Sequence, residues 1–336
     1  MYTLDLKVGY GCNNNCIHCI IEGNKKRLRD KDLPINRTTE DLKREILGIA
    51  ETIKANSEED CKIIMTGGEP TIRKDFLEIC QFAIDNGFKQ IGLQTNGRKL
   101  SDREFTEQLV KRFPIRFTVA LHADNPEIHD AITRQRGSFD ETVQALKYLN
   151  EFKARSSGKI VISKKNTKNL LNTVKLFESL NVLTINIAFP HSAIHDPRFH
   201  DYVPRYRDII DELKSILIYG QEKKMAILTE AVPYCLLKGY EEFVGENFIM
   251  GDITINDVDF SKTDWQKRRP EIKAKAKECE NCYINILCEG PWEEYLHYYD
   301  ATELMPISDI RESLIISKKI KLIKKFNQVE KSKDCE

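Results

Sequence analysis

Short apolar segments rich in β-branched residues recur along the first 190 residues of the chain. Each is followed by a stretch in which apolar side chains repeat every three or four positions, as at Leu42, Ile46 and Ile49. The first pattern predicts buried β-strands and the second predicts amphipathic helices. The predicted strands cover residues 3–10, 61–67, 88–95, 114–122, 158–164 and 182–190. The predicted helices cover about residues 39–56, 74–86, 102–112, 138–153, 167–180 and 204–224.

Strands that alternate with helices predict βαβ units around a parallel sheet. Six such units fill residues 1–224. A doubly wound sheet is less attractive, because no glycine-rich dinucleotide fingerprint follows the first strand. We therefore predict an α/β fold with a partial (β/α)6 TIM-like barrel. In parallel α/β folds, ligands bind at the carboxyl ends of the strands.

The pattern changes after residue 224. Residues 225–300 carry short strand-like segments at 226–232 and 248–255, a lysine-rich helix at 267–278 and several cysteines, which predicts a small α+β extension. Residues 301–336 are predicted to form a basic helical tail that packs against the body rather than binding nucleic acid or membrane. The apolar positions expected to pack are Ile315, Ile316, Ile320, Leu322 and Ile323.

The net charge and the lack of targeting signals argue against several classes of function. The 336 residues include 52 Lys and Arg against 52 Asp and Glu, so the formal net charge is zero. A general nucleic-acid binder is usually basic. No segment approaches the roughly 18 consecutive apolar residues of a membrane span, and no basic and apolar secretory signal is visible. We expect a cytoplasmic protein that binds neither nucleic acid nor membrane.

Ten cysteines are the unusual feature of the composition. In a reducing compartment, cysteines are metal ligands or catalytic groups more often than disulfides. Most of them fall into two groups far apart in the chain, which indicates two separate metal sites. The first cysteine set is Cys12, Cys16 and Cys19, and the second cysteine set is Cys279, Cys282 and Cys288 with the isolated Cys235.

The first cysteine set follows the first predicted strand directly, with the spacing C-x3-C-x2-C. Three thiolates on one short loop can converge on a single metal centre. His18 offers a fourth ligand to a zinc ion, but it is adjacent to Cys19, which is poor geometry for both to bind one ion. An iron–sulfur cluster held by three cysteines, with one iron left open, fits the spacing better.

This spacing, after the first strand of a βα barrel, resembles that of the radical SAM superfamily. The segment 65-MTGGEPTIR-73 closes the second predicted strand and resembles the GGEP signature of that family. The segments 94–100, 119–146 and 160–171 resemble its third, fourth and fifth strand regions, so the resemblance covers residues 1–190. It implies a [4Fe-4S] cluster on the first cysteine set and S-adenosylmethionine (SAM) bound at the strand ends, with its amino group at the strand edge through Gly67, Gly68 and Glu69. The SAM-binding residues it implies are Gly67, Gly68, Glu69, Pro70, Thr95, Asn96, His122 and Ser163.

The run Cys279-x2-Cys282-x5-Cys288 has two interpretations. Together with Cys235 it suits a four-cysteine zinc knuckle. It also resembles the core of the SPASM/twitch extension that follows radical SAM barrels and holds auxiliary [4Fe-4S] clusters. That resemblance implies a shortened, twitch-like unit at 225–300 with one auxiliary cluster, while Cys335 lies alone in the tail. If Cys235 is not a ligand, the cluster keeps an open iron for the substrate.

The resemblance implies an enzyme that reductively cleaves SAM to a 5′-deoxyadenosyl radical, which takes a hydrogen atom from the substrate. An auxiliary cluster suits an oxidative outcome, such as a crosslink or dehydrogenation of a peptide or protein side chain. A thiol hydrogen donor would give an epimerisation instead; Cys61 and Cys80 are candidates, although core cysteine is the commoner role. The candidate acid and base residues are His122, Glu289, Glu293, His191 and His195.

Two other functions stay open. The same chemistry can act on a small molecule, such as a cofactor or an antibiotic precursor, and a zinc-stabilised binding module would not be an enzyme. The expected partners are the substrate and a reductant such as flavodoxin or ferredoxin. A peptide substrate also calls for a separate leader-peptide-binding protein, because no such segment precedes the first strand.

Overall fold

Nine strands form one sheet in the computed structural model, which describes residues 2–55, 61–193, 195–249 and 253–333. The strands are β1 (Tyr2–Gly9), β2 (Cys61–Gly67), β3 (Gln90–Thr95), β4 (Ile115–Ala120), β5 (Arg155–Val161), β6 (Thr184–Ala188), β7 (Ala226–Glu230), β8 (Ile253–Asn256) and β9 (Lys262–Asp264). Their order in the sheet is β7-β6-β5-β4-β3-β2-β1-β8-β9. Only β9 is antiparallel to its neighbour within this described part of the chain.

Helices occupy most of the connections between the strands. They are α1 (Glu22–Asp30), α2 (Thr39–Ala55), α3 (Phe76–Asp85), α4 (Arg103–Arg112), α5 (Pro126–Thr133), α6 (Ser138–Glu151), α7 (Leu170–Ser179), α8 (Phe199–Tyr202), α9 (Ile210–Glu222), α10 (Trp265–Glu271), α11 (Glu293–Tyr298) and α12 (Ile310–Lys333). The sequence does not predict α1 or α5. A capping signal does mark α5, since the Asn125 side chain accepts a hydrogen bond from Ile128 N and Pro126 begins the helix.

The strand order identifies the type of α/β fold. From β1 to β7 each strand lies beside the next one in sequence, and all of these pairs are parallel. Right-handed crossovers without a reversal of order place their helices on one face of the sheet, whereas a doubly wound sheet needs a reversal. The predicted partial barrel is confirmed.

The two faces of the sheet differ in chemistry, as β1 shows. Leu4, Leu6 and Val8 point toward the helices and are buried, whereas Asp5 and Lys7 point to the other face and keep partial exposure. We call this second surface the inner face. Its other polar pairs are Thr118–Ser157, across β4 and β5, and Lys159–Glu230, from β5 and β7. A hydrophobic layer therefore holds the helices, and a polar surface is left open toward the barrel interior.

The segment after residue 224 contributes to the main sheet at both of its edges. β7 pairs with β6 at one edge, and β8 pairs with β1 at the other. Of the strand expected at 248–255, residues 248–249 lie outside any strand and residues 253–255 lie in β8, while residues 250–252 fall outside the described ranges. The lysine-rich helix expected at 267–278 ends at Glu271 and gives way to a 3-10 turn, Lys277–Asn281. β7 and β8 thus lie at opposite edges of one sheet although they are neighbours in the sequence.

The basic tail forms α12 and packs on fewer apolar side chains than expected. Ile316 and Ile320 are buried, but Ile315 is 70% exposed and Leu322 is also exposed. Lys319 pairs with Glu241 and Glu242, which adds an ionic contact to the body. In the ranges that the structure covers, no helix has both the length and the apolar composition needed to cross a membrane. Cys335 lies outside the described residues.

Candidate active site

The first cysteine set lies on a loop, residues 10–19, that leaves the carboxyl end of β1. Asn15 N and Ile17 N donate hydrogen bonds to Thr133 O and Ile132 O, at the end of α5. Cys19 N bonds Cys16 O, which curls the loop between the second and third cysteines. Helix α5, which the sequence does not predict, therefore anchors the cysteine loop.

The surroundings of the first cysteine set favour a positively charged metal centre. Burial raises the pKa of all three thiols, and it raises that of Cys16 to about 12, with Cys19 and Cys12 adding to the effect. Three buried thiolates repel one another, and an iron centre relieves that repulsion because it coordinates sulfur as the thiolate. The donor set fits the [4Fe-4S] cluster that the spacing indicates.

His18 lies beside Cys16 rather than forming a site with its neighbour Cys19. Its ring meets that of His122 edge-on at 4.7 Å, and one ligand atom each from Cys16, His18 and His122 lie within 4.8 Å of one another. Burial lowers the pKa of His18 to about 4 and also lowers that of His122. Two neutral imidazoles therefore border the first cysteine set.

Gly67 and Gly68 end β2 where it touches the cysteine loop. Gly68 N and Glu69 N each donate a 2.8 Å hydrogen bond, to Gly9 O and Gly11 O. A Cβ on Gly68 would lie 2.1 Å from Gly11 O, and one on Gly67 would lie 2.2 Å from Gly9 O. Close packing of two backbone segments is thus the reason for the glycine pair. Their contact with SAM stays a prediction.

The Glu69 side chain connects the ends of β2 and β3. It is 2% exposed, and its Oε1 accepts hydrogen bonds from Thr71 Oγ1 and Thr95 Oγ1 at 2.6 and 2.7 Å. Oε2 accepts one from Asn96 N at 2.6 Å. Burial raises the carboxyl pKa, against the lowering by these donors. Both carboxylate oxygens accept hydrogen bonds from protein groups, and these bonds hold Pro70, Thr95 and Asn96 in place.

Replacing Glu69 with glutamine should lower the free energy of unfolding by about 2–3 kcal/mol, because one buried oxygen acceptor becomes an N–H donor that faces donors. Urea unfolding measures the change. The matched control is Glu104→Gln on the exposed surface of α4, which should shift stability by no more than about 0.5 kcal/mol. Equal stability of the two variants would contradict the assigned hydrogen bonds.

The end of β3 fixes the asparagine run of the cysteine loop. Asn96 Nδ2 donates to Asn13 Oδ1 at 2.7 Å, and Arg98 Nη1 donates to Asn14 Oδ1 at 3.2 Å and to Asn13 O. Arg98 also pairs with Glu141. The sequence points to Asn96 but not to Arg98, whose signal is its place just after the strand-ending Asn-Gly turn, where Gly97 has a φ of 80°.

His122 and Ser163 lie at the neighbouring ends of β4 and β5. His122 Nδ1 accepts from Val161 N at 3.3 Å, and Asn166 Nδ2 donates to His122 O at 2.8 Å. Ser163 is fully buried, and its backbone N–H donates to Asn166 Oδ1 at 2.7 Å. Asn166, which the sequence does not single out, ties the two strand ends together. The predicted SAM-binding residues therefore gather at the carboxyl ends of β2–β5.

The structure places the two candidate hydrogen-donor thiols away from these carboxyl ends of the strands. Cys61 is the first residue of β2, at its amino end, and its Sγ donates to Gly87 O. Cys80 lies on α3 with its Sγ 3.9 Å from Met65 Sδ, and burial raises its pKa to about 12. Both are core residues here, and neither is brought to the strand ends where the SAM-binding residues gather.

The second cysteine set converges on one cavity. Cys235 lies in the short turn Tyr234–Leu236 that follows β7, and it lines a small cavity of about 20 Å³ with the other three cysteines. The other lining side chains include Pro233, Ile284 and Leu304. Burial raises the pKa of Cys235 to about 12, and Cys288, Cys279 and Cys282 add to the shift. Four thiols that share one buried space fit a metal centre that binds thiolates.

The candidate glutamates near this set have different surroundings. Glu289 pairs with Arg269 at 2.6 Å and with Lys273 at 3.3 Å, inside a buried ionic group that also includes Glu246. Glu293 is exposed on the first turn of α11. Its neighbour Glu294, which the sequence does not single out, is buried and contacts His191 at 2.6 Å. His195 is exposed, and its ring meets that of His297 edge-on at 5.6 Å.

A thiolate loop held at the carboxyl edge of a parallel barrel defines a class of iron–sulfur enzyme that uses SAM, and comparison with known families agrees. Residues 6–177, just over half of the chain, match the family model of the radical SAM superfamily. The chain belongs to this superfamily, so it is an enzyme that binds SAM and a [4Fe-4S] cluster.

The chain resembles several named proteins in sequence or in fold. The AdoMet-dependent heme synthase of Methanosarcina barkeri is 28% identical over 180 residues, which cover 53% of this chain and 48% of that enzyme. The chain thus spans about half the length of that relative. A solved structure of anSMEcpe with bound AdoMet superposes over all of both chains, with 14% identity and a TM-score of 0.64. Streptococcus suis SuiB bound to S-adenosylmethionine covers 91% of this chain and 76% of its own, with 16% identity and a TM-score of 0.60. These structural likenesses concern the fold.

Proposed function

We propose that this enzyme modifies a peptide or protein side chain and that Cys235, Cys279, Cys282 and Cys288 hold an auxiliary [4Fe-4S] cluster in a twitch-like unit. The convergence of these four cysteines on one cavity carries the proposal. The peptide substrate has support from two proteins of similar fold. SuiB has been solved bound to the precursor peptide SuiA, and anSMEcpe has been solved with a bound peptide.

The residues of the chain have separate tasks in this proposal. When bound, SAM and the cluster on the first cysteine set supply a radical that takes a hydrogen atom from the substrate. Asn96 and Arg98 hold the asparagines of the cysteine loop, and Glu69 holds the ends of β2 and β3. This network keeps the loop in one position relative to the inner face, which limits misplacement of the reacting atoms.

The inner face suits an extended polar substrate. Its pairs extend from Lys7–Asp5 on β1 through Thr118–Ser157 to Lys159–Glu230 on β5 and β7. These side chains keep partial exposure and alternate donors with acceptors. A peptide offers N–H and C=O groups along its length that match such a surface, and a compact molecule uses only part of it.

A small-molecule substrate is the second candidate. The identity with the heme synthase, which exceeds that with either structure above, favours it. To separate the two, the anaerobically reconstituted enzyme is incubated with SAM, dithionite and a pool of synthetic peptides, each with one Cys, Ser, Thr, Lys, Tyr or Trp. A mass change in any peptide that requires SAM supports the first candidate. No change in the whole pool would overturn the peptide proposal.

Replacing Cys282 with alanine should reduce the iron content from about eight to about four atoms per chain. SAM cleavage should persist, because the first cysteine set is intact, while modification of the peptide pool is lost. Iron analysis, electron paramagnetic resonance and 5′-deoxyadenosine formation measure the three effects. Cys80→Ala is the matched control and should keep both clusters. Zinc at the second cysteine set of the unaltered protein would contradict the auxiliary cluster.

A further inference from the structure

His191 has the arrangement of an oriented acid–base group. It follows β6 by three residues, and its Nδ1 lies 2.6 Å from Glu294 Oε1. The same oxygen accepts a hydrogen bond from Ser192 N at 2.7 Å, and Glu294 is 2% exposed. A carboxylate only accepts hydrogen bonds, so in the neutral imidazole Nδ1 is the nitrogen that donates to Glu294 and Nε2 is the one that carries the lone pair.

Trp292 fixes the plane of this imidazole. The two rings stack with centroids 4.4 Å apart and planes 18° apart, and Trp292 Nε1 donates to Phe189 O. The His191 side chain remains 30% exposed. Within the described ranges no protein group hydrogen-bonds its Nε2. The ring is held in orientation on one side, and its basic nitrogen is left for a ligand.

The dyad, His191 with Glu294, lies near the carboxyl ends of β5–β7. Burial raises the pKa of Glu230, but Lys159, Lys273 and His191 lower it, and the net shift is downward. These interactions place His191 close to the charged end of the inner face. Lys273 Nζ lies over the Trp292 ring at 4.9 Å from its centroid.

The segments that carry the dyad continue toward the two cysteine sets along the chain. Trp292 follows Cys288 by four residues. On the other side, Arg198 of the connection after β6 interacts with Glu22 at the start of α1, just after Cys19.

We propose that His191 is the general base of the reaction and that Glu294 is its positioning residue; this rests on the proposed function. Hydrogen-atom abstraction leaves a carbon radical beside an O–H, N–H or S–H group of the substrate. Nε2 accepts the proton from that heteroatom, whose bond to hydrogen breaks, and an auxiliary [4Fe-4S] cluster on the second cysteine set would take up the one remaining electron. A double bond forms between carbon and the heteroatom. The imidazolium is paired with the Glu294 carboxylate and later releases its proton to solvent.

The test compares His191→Gln with its matched control His200→Gln, an exposed histidine in the same connection. With a peptide modified in the pool above, His191→Gln should slow product formation about a hundredfold or more. Its iron content and its 5′-deoxyadenosine formation should match the unaltered enzyme. Imidazole should restore product formation in His191→Ala, which a purely structural role would not allow. Product formation within threefold of the control would overturn the proposal.

A second measurement needs no substrate. Long-range 1H–15N spectra of the 15N-histidine-labelled protein, assigned by His191→Gln, should show the Nδ1–H tautomer for His191. Glu294→Ala should shift the signal toward the Nε2–H tautomer. An Nε2–H tautomer in the unaltered protein would overturn the general base even if no peptide in the pool reacts. An inert pool with the Nδ1–H tautomer instead locates the failure in the proposed peptide substrate and supports the oriented base.

Discussion

Replacing Cys16 with alanine is expected to abolish the formation of 5′-deoxyadenosine from SAM and dithionite. Cys16 is partly buried and interacts electrostatically with both Cys12 and Cys19, and its loss leaves two thiols for a cluster that needs three. The effect should exceed the roughly hundredfold loss that follows removal of a group hydrogen-bonded to a metal ligand. Iron content and chromatography of the products measure it.

Cys61→Ala and Cys80→Ala provide the matched comparison. Both thiols are buried, but they lie at the amino end of β2 and on α3. Each variant should lose stability by about 1–2 kcal/mol through lost packing and should keep SAM cleavage. Cleavage by Cys16→Ala at a tenth of the normal rate or more would contradict the assigned ligand set.

Gly68→Ala should destabilise the fold by about 4 kcal/mol or more and remove iron from the first site, because the added Cβ would clash with backbone atoms of the cysteine loop. The added Cβ would lie 2.1 Å from Gly11 O and 2.7 Å from Tyr10 C. Neither atom can move as the end of a flexible side chain can. The hydrogen bond from Glu69 N to Gly11 O would break as the strand end separates from the cysteine loop. Thermal unfolding and iron analysis measure the two losses.

Gly48→Ala is the control for this change. Gly48 lies within α2, and a Cβ there meets nothing within 4 Å. Alanine should raise stability by up to about 1 kcal/mol, because a helix interior favours it over glycine. If Gly68→Ala unfolds at the temperature of Gly48→Ala and retains iron, the close packing of β2 on the cysteine loop is wrong.

The sequence predicts β1–β4 and β6 well, because each is an apolar run between helices of clear periodicity. β5 begins three residues before the predicted 158–164, because its first residues, Arg155, Ser156 and Ser157, are polar and carry no apolar signal. The pairing of β7 and β8 with opposite edges of the sheet is not predictable in the same way. Short strands carry little periodicity, and β8 pairs with β1, which lies some 250 positions earlier. The helix α1 is missed because most of its residues are charged and its only buried residues are Lys25 and Leu28.

The candidate site is likewise predictable only where its residues lie close together in the sequence. Cysteine spacing is local, so the first cysteine set and Cys279, Cys282 and Cys288 are visible in the sequence. The dyad of His191 and Glu294 joins positions 103 residues apart, and nothing in either local sequence announces the other. Of the adjacent glutamates on α11, the sequence favours Glu293. Only tertiary packing shows that Glu294 turns inward.

Because β7 and β8 pair at opposite edges of the sheet, the segment after residue 224 is hard to separate from the rest of this enzyme. Without the segment after residue 224, β6 and β1 would both become edge strands with unpaired N–H and C=O groups. Exposed strand edges recruit other chains and promote aggregation. The carboxyl-terminal segment therefore protects the sheet from self-association as well as carrying the second cysteine set. An exchange of this segment between related enzymes would have to preserve two strand registers as well as four cysteines.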